Sequence, residues 1–277
     1  MSSGFLNIDH VVGRHRFKRI ARQVELVPST TSTNDWIWTA ANNDPVDGHV
    51  IFAEHQTAGR GRMGRLWHSP SGASLMFSVL LLDSDDAPAP SADSLGLIAG
   101  IATVSAIIET TGLSARIAWP NDIVIDDRKL GGILIESRML PAGCRAYALG
   151  IGINCLQHRN HFPDDIRSRA TSIDLESTRP VHRESIATAL LNSLDAWLSD
   201  AAKWDTANLK SAFLELATPL GRDIKLRHEG NIYSGQVIDV DPSAALVVQL
   251  HNGTRRLFPA ASTSIVDHFQ PPSNGGG

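Results

Sequence analysis

Cysteine is nearly absent, with Cys144 and Cys155 the two thiols in 277 residues. So few thiols exclude a disulfide framework and fit a reducing cytoplasm; both sit in apolar, strand-like runs and are expected to be small core side chains. Neither sign of charge is in large excess. The 25 Lys and Arg against 29 Asp and Glu leave a formal charge of -4, which argues against bulk attraction to nucleic acid or to an anionic membrane. No apolar stretch approaches the ~20 residues of a membrane span, and Arg14, Arg16, Lys18 and Arg19 interrupt any signal-peptide core. What is present, 42% hydrophobic residues, suffices for one sizeable core, or for a core with a small appended domain.

Residues up to about Pro28 are mixed and charged, too short for a separate DNA-binding domain. Thr30 to Thr33 offer helix N-cap residues ahead of Asp35-Trp36-Ile37-Trp38, and Pro45 follows the end of that helix. Residues 50–54 and 74–82 read as strands. Between Leu97 and Ile108 apolar residues recur at helical spacing until Gly112 stops them. Short strands at 116–119 and 123–125 lead through an Asp126-Asp127 turn into a strand over 129–136, a hairpin with Lys129 opening its second arm. Another apolar strand, 147–154, is punctuated by Gly150 and Gly152, as happens where a ligand or a second backbone comes close. Helices are predicted over 184–198 and 207–216. After Pro219 only short strands follow (223–227, 233–240, 246–250, 255–258), with turns at Asp241-Pro242-Ser243 and Asn252-Gly253, the pattern of a small β-barrel. The Gly275-Gly276-Gly277 end is expected to be disordered.

Four segments carry chemistry. Gly59-Arg60-Gly61-Arg62-Met63-Gly64-Arg65 sets three arginines among three glycines at a strand end. Glycine admits close backbone approach and arginine brings a rigid fork of donors, so the run suits an anion such as a phosphate or carboxylate. It is neither a P-loop nor a dinucleotide fingerprint, because no Gly-Lys-Ser/Thr follows and arginines fill the spacers; a solvated basic loop or an RGG-type nucleic-acid segment are its other readings. Trp67, just beyond, either stacks on a flat heterocycle or packs in the core. Trp119-Pro120-Asn121-Asp122 is a turn or a site. Lys129, followed by Leu130-Gly131-Gly132, is an edge-strand lysine or a catalytic one. Gly150-Ile151-Gly152-Ile153-Asn154 leaves room for a ligand, and Thr31-Ser32-Thr33-Asn34 is a helix cap or a set of polar ligand contacts.

In their order and spacing these motifs resemble the biotin–protein ligases, from about Ser29 to Asn154, and the all-β tail suits that family's C-terminal domain. The resemblance implies an α+β fold: a class II aminoacyl-tRNA synthetase-like core with a mixed, largely antiparallel sheet, followed by a small SH3-like barrel. It implies an N-terminal segment over 1–28, a biotin- and ATP-binding domain over 29–218, the small domain over 219–268 and a disordered tail over 269–277. The implied enzyme joins biotin to ATP, with Mg²⁺, as biotinyl-5'-AMP, and passes the biotinyl group to a lysine of a biotin carboxyl carrier protein. On that resemblance Ser32, Thr33, Asn34 and Gln56 hold the ureido head and sulfur ring of biotin. Gly59, Arg60, Gly61 and Arg62 close over the valeryl chain and the adenylate phosphate, Arg65 reaches toward ATP, and Trp67 stacks on adenine. Lys129 meets the carboxylate and α-phosphate and, with Arg62, is catalytic. Gly132, Gly150 and Asn154 line the pocket, and Asn121 and Asp122 orient Lys129 or the phosphate.

Ala118 stands where many relatives carry lysine, and Asp35 follows Ser-Thr-Asn in place of an amide. No winged-helix domain fits before Ser29, so repressor function, DNA binding and membrane association are not expected, and the enzyme is expected in the cytoplasm as a monomer or homodimer. A lipoate–protein ligase or octanoyltransferase is the nearest rival, but is not expected to carry the arginine loop. An RGG-type module is opposed by the acidic charge.

Overall fold

The computed structural model describes residues 4–268 apart from 14, 142, 219, 242 and 244. The tail at 269–277, the Pro219 boundary and the Pro242 turn residue lie outside the described residues. Seven strands build the larger sheet: β1 (Val24–Val27), β2 (Val50–Ala53), β3 (Ser74–Asp83), β4 (Arg116–Ala118), β5 (Asp122–Ile125), β6 (Arg128–Met139) and β7 (Arg145–Asn154). Their order is β1-β2-β3-β7-β6-β5-β4, with β1 and β2 parallel and every other pair antiparallel. Helices α1 (Ile8–Val12), α2 (Thr33–Asn43), α3 (Ala92–Thr111), α4 (Ile173–Glu176), α5 (Arg183–Leu198) and α6 (Thr206–Leu216) complete this part. A second, all-antiparallel sheet follows, of β8 (Asp223–His228), β9 (Asn231–Val240), β10 (Leu246–Leu250), β11 (Arg255–Phe258) and β12 (Thr263–His268), in the order β11-β10-β9-β8-β12. Its two end strands are not hydrogen-bonded to each other among the described residues. The α+β architecture and the separate β tail agree with the sequence reading.

Strand alternation explains how the sheet gets a buried face and a working face. On one face Leu75, Phe77, Val79 and Leu81 of β3 and Leu149, Ile151 and Ile153 of β7 join Ile98, Ile101 and Val104 of α3 and Leu190 and Leu194 of α5 in one core. On the other face Leu80, Ala146 and Ala148 pack under Ile37, Trp38 and Ala41 of α2. Further along that second face the β7 positions become Gly150, under Asn34 in the first turn of α2, and Gly152, under Trp67. The floor of the site lies there. At 20 residues α3 is long and apolar enough to cross a membrane, which corrects the reading that no stretch approaches that length; most of it is buried against the sheet and its neighbouring helices.

The Asp126-Asp127 turn has φ values of 47° and 63°, the left-handed pair that a tight antiparallel hairpin requires. Residues 4–28 are more integrated than their mixed composition suggested. Leu6, Val11 and Ile20 enter the core, and Asp195 of α5 accepts the backbone N–H groups of Lys18, Arg19 and Ile20. The cysteine expectation holds for Cys155, which is buried and whose thiol is pushed up to about 12 by that burial; Cys144 is half-buried at the start of β7 and is not a core residue.

Candidate active site

The site is built on the glycine floor, with two groups of side chains converging on it and Trp67 between them. The first comes from the start of α2. Ser32 occupies the N-cap position, yet its hydroxyl makes no capping bond to the helix, so the Thr-Ser-Thr-Asn run is more than a helix signal. Thr33 and Asn34, both buried, turn toward the sheet. The Thr33 N–H donates to Gln56 Oε1 (2.7 Å), and the Thr33 hydroxyl donates to the same oxygen (3.2 Å). Ser78 Oγ, fully buried on β3, lies 2.6 Å from Asn34 Oδ1 and 2.8 Å from Thr33 Oγ1. Gln56 Nε2 reaches the Met76 sulfur at 3.4 Å. Asn34 is held through its oxygen, while its Nδ2, also buried, has no partner among the described residues.

The second group comes from the Trp-Pro-Asn-Asp turn, the hairpin and the tip of the glycine-arginine loop. Lys129 Nζ is 2.6 Å from Asp122 Oδ1. Arg62 donates to Asn121 Oδ1 at 3.2 Å and also to the carbonyl of Ala260, in the turn before β12. Burial pushes the Arg62 guanidinium down from its ordinary range, the Asp122 carboxylate opposes this, and Arg65 adds to the lowering. Lys129, Arg62 and Arg65 therefore make a cationic cluster with one carboxylate, Asp122, set among them. Such a cluster suits a polyanion.

Trp67 joins the two groups. Gly132 and Gly152 face each other across the β6–β7 ladder. A Cβ on Gly152 would sit 3.0 Å from Trp67 Cε2 and Cζ2, and one on Gly132 would sit 3.4 Å from Lys129 Nζ and 3.7 Å from Trp67 Cζ3. A Cβ on Gly150 would come within 2.6 Å of Asn34 Oδ1. The room these strand glycines create is taken by the protein's own indole and amide. Trp67 Nε1 is a second buried donor without a partner among the described residues. Buried N–H groups rarely stay unpaired. Two of them on one floor, beside a cationic cluster, fit a ligand with acceptors at one end and negative charge at the other.

The loop itself is a short hairpin: Trp67 N–H bonds Gly59 O, Gly61 N–H bonds Arg65 O, and Arg60 bridges Leu66. Gly59 allows no side chain, since a Cβ would meet Trp67 O at 2.8 Å and Gln56 Nε2 at 3.0 Å. Met63 and Gly64 turn the tip at φ values of 55° and 73°.

Two predicted site residues face elsewhere. Arg60 turns to Asp35 and Glu136. Asn154 donates to Thr171 O and accepts from Gln157, both at 3.0 Å, so its amide is bonded inside the protein at both ends. Sequence reasoning singles out none of Ser78, Met76 and Glu136, while it marks Gly152 as a point of close approach without a stated partner. Ser78 left one visible trace, a lone hydroxyl in the otherwise apolar run Leu75–Leu82.

Residues 26–154 match the biotin/lipoate A/B protein ligase family. The chain is 34% identical over 241 residues to the biotin–[acetyl-CoA-carboxylase] ligase of Mycobacterium tuberculosis, covering 84% of this chain and 85% of that one. It is 30% identical over 230 residues to the bifunctional ligase/repressor BirA of Bacillus subtilis, covering 83% and 70%. Among solved structures, the fold is that of the Aquifex aeolicus biotin protein ligase in complex with biotin and ATP, with a TM-score of 0.72, 23% identity and coverage of 88% and 98%.

Proposed function

The chain belongs to the biotin/lipoate A/B protein ligase family, and from that premise we propose that it is a biotin–protein ligase that makes biotinyl-5'-AMP from biotin and ATP and transfers the biotinyl group to a lysine of a biotin carboxyl carrier protein. The observation that carries this reading is the pairing of unpartnered donors with a cationic cluster. Asn34 Nδ2 and the Thr33, Gln56 and Ser78 network suit the ureido head. Lys129 and Arg62 suit the meeting of carboxylate and α-phosphate. Trp67 offers a platform and a donor for adenine, and Arg65 lies toward the triphosphate.

Two anions must approach each other in the first step, and their repulsion opposes it. Lys129 and Arg62 offset that repulsion and stabilise the charge that builds on phosphorus as the biotin carboxylate oxygen attacks and pyrophosphate leaves. The mixed anhydride is then kept from water by the loop over residues 59–67. In the second step the acceptor lysine amine attacks the biotinyl carbonyl and AMP departs. Mg²⁺ would arrive with the triphosphate. Among the described residues no group of three His, Cys, Asp or Glu could hold it, and Asp122, the carboxylate among the cationic side chains, is bonded to Lys129. The same reading divides the chain into a catalytic domain over 29–218, preceded by 1–28, and a small domain over 219–268, and puts the enzyme in the cytoplasm.

Biotin-dependent exchange of labelled pyrophosphate into ATP tests the proposal. Exchange that requires biotin, and does not accept lipoate or octanoate in its place, supports it. Exchange without biotin, or tight RNA binding in its absence, overturns it.

A further inference from the structure

Asp35 is the main partner of the first loop arginine. Both oxygens of its carboxylate take the Arg60 fork, at 2.7 Å each. Glu136 on β6 takes Arg60 as well, at 3.2 Å, while its second oxygen accepts the Trp38 indole N–H at 2.9 Å. Arg138 lies over the Trp38 ring, 4.6 Å from its centroid, and faces Asp35 electrostatically. Thr31 completes the set with a 3.0 Å bond to Asp35. Arg60 therefore bonds two carboxylates, each of which also has a further partner. Arg62 bonds a neutral amide and a carbonyl, and the Asp122 carboxylate near it is bonded to Lys129 instead. A guanidinium flanked by two carboxylates presents no net positive charge to an incoming anion, whereas one flanked by neutral acceptors keeps its own.

We propose that Asp35, seconded by Glu136, is a positioning residue: it clamps Arg60 so that the root of the glycine-arginine loop is set before ligands arrive, leaving Arg62 as the loop arginine that meets the anion. The route to the site is short. Arg60 bridges Leu66, and the next residue, Trp67, bonds back to Gly59. Fixing Arg60 thus fixes the strand that carries the Trp67 indole onto Gly152. The clamp's effect on catalysis rests on the ligase reading; its effect on the loop does not.

Asp35→Asn removes the charge and keeps the size, and Glu136→Gln keeps an acceptor for Trp38. Without ligands, thermolysin cleavage at the exposed Met63 and Leu66 should rise about fivefold in either variant, and Asp35→Glu should restore protection. In the exchange assay the KM for ATP should rise by a similar factor with kcat within about twofold, because the ground-state platform is loosened and the reacting groups are untouched. Unchanged cleavage in both variants overturns the clamp. A fall in kcat at constant KM also overturns the assignment, since it would put Arg60 on the reacting atoms. Absence of biotin-dependent exchange in the unaltered protein would defeat the ligase reading alone, with cleavage still deciding the clamp.

Discussion

Lys129 holds its ammonium 2.6 Å from one Asp122 oxygen, with its side chain about 38% exposed. Its charge is shared with a single carboxylate and stays available to a phosphate. Lys129→Ala should lower the adenylation rate on the order of 10²-fold or more; near-normal pyrophosphate release in that variant would remove Lys129 from the chemistry. Gly152 makes a sharper test of geometry. Adding one methyl pushes the Trp67 ring off its seat, at a cost comparable to other small-to-large insertions. Gly152→Ala should therefore raise the KM for ATP about tenfold while leaving biotin affinity, measured by calorimetry, within twofold. An equal loss of biotin affinity would show that the indole is not a separate nucleotide platform. Local sequence left Thr33, Asn34 and Lys129 open between a structural and a ligand role, and the family resemblance singled them out together with Gln56; the structure brings Thr33, Asn34 and Gln56 to one end of the glycine floor and Lys129 to the other. Local sequence did not reveal Ser78 or Glu136. Their importance comes from partners 44 and 76 residues away, Asn34 and Arg60, and a lone serine or glutamate in a strand carries no mark of that pairing.

The loop between Gly59 and Trp67 is pinned at its root by carboxylates and at its tip by Asn121 and Ala260, with only a few internal hydrogen bonds between. Such a segment opens at small free-energy cost. Biotin and ATP together should suppress protease nicking near Met63 strongly, and each alone should do so less; equal cutting with and without both would argue against ligand-dependent ordering. Strand β7 shows how an element can be read correctly and its reason misread. Its glycines were legible as points of close approach, and they are, but Asn34 and Trp67 make the approach. Four elements were not foreseen, one of them the four-residue helix α4. Strand β1 is four residues long and interrupted by Glu25, and it pairs in parallel with β2 far down the chain. Helix α1 spans only five residues. Strand β12 follows a short turn that opens with Pro259 and gets its register from β8.

The ionic ties between distant parts of the chain are unequal. Glu54 and Arg183 form a 2.8 Å pair with side chains 1% and 5% exposed, and Arg183 also donates to the carbonyls of Ser74 and Gly4. This joins the N-terminal segment, β2, β3 and α5 at the back of the site. Removing one partner leaves a buried charge unmatched, so Arg183→Met should cost on the order of 3–5 kcal/mol in urea unfolding, whereas Arg222→Met, which breaks a half-exposed pair with Asp127, should cost under about 1 kcal/mol. Similar losses in the two variants would contradict the buried pair's special weight. The contact between Arg62 and Ala260 is different in kind. It ties the tip of the glycine-arginine loop to the backbone of the turn between β11 and β12. By reciprocity, whatever shifts Arg62 should be felt at the 259–262 turn, and whatever displaces that turn should alter the charge Arg62 would offer to a phosphate. The terminal module thereby becomes a thermodynamic party to the chemistry without supplying a reacting atom.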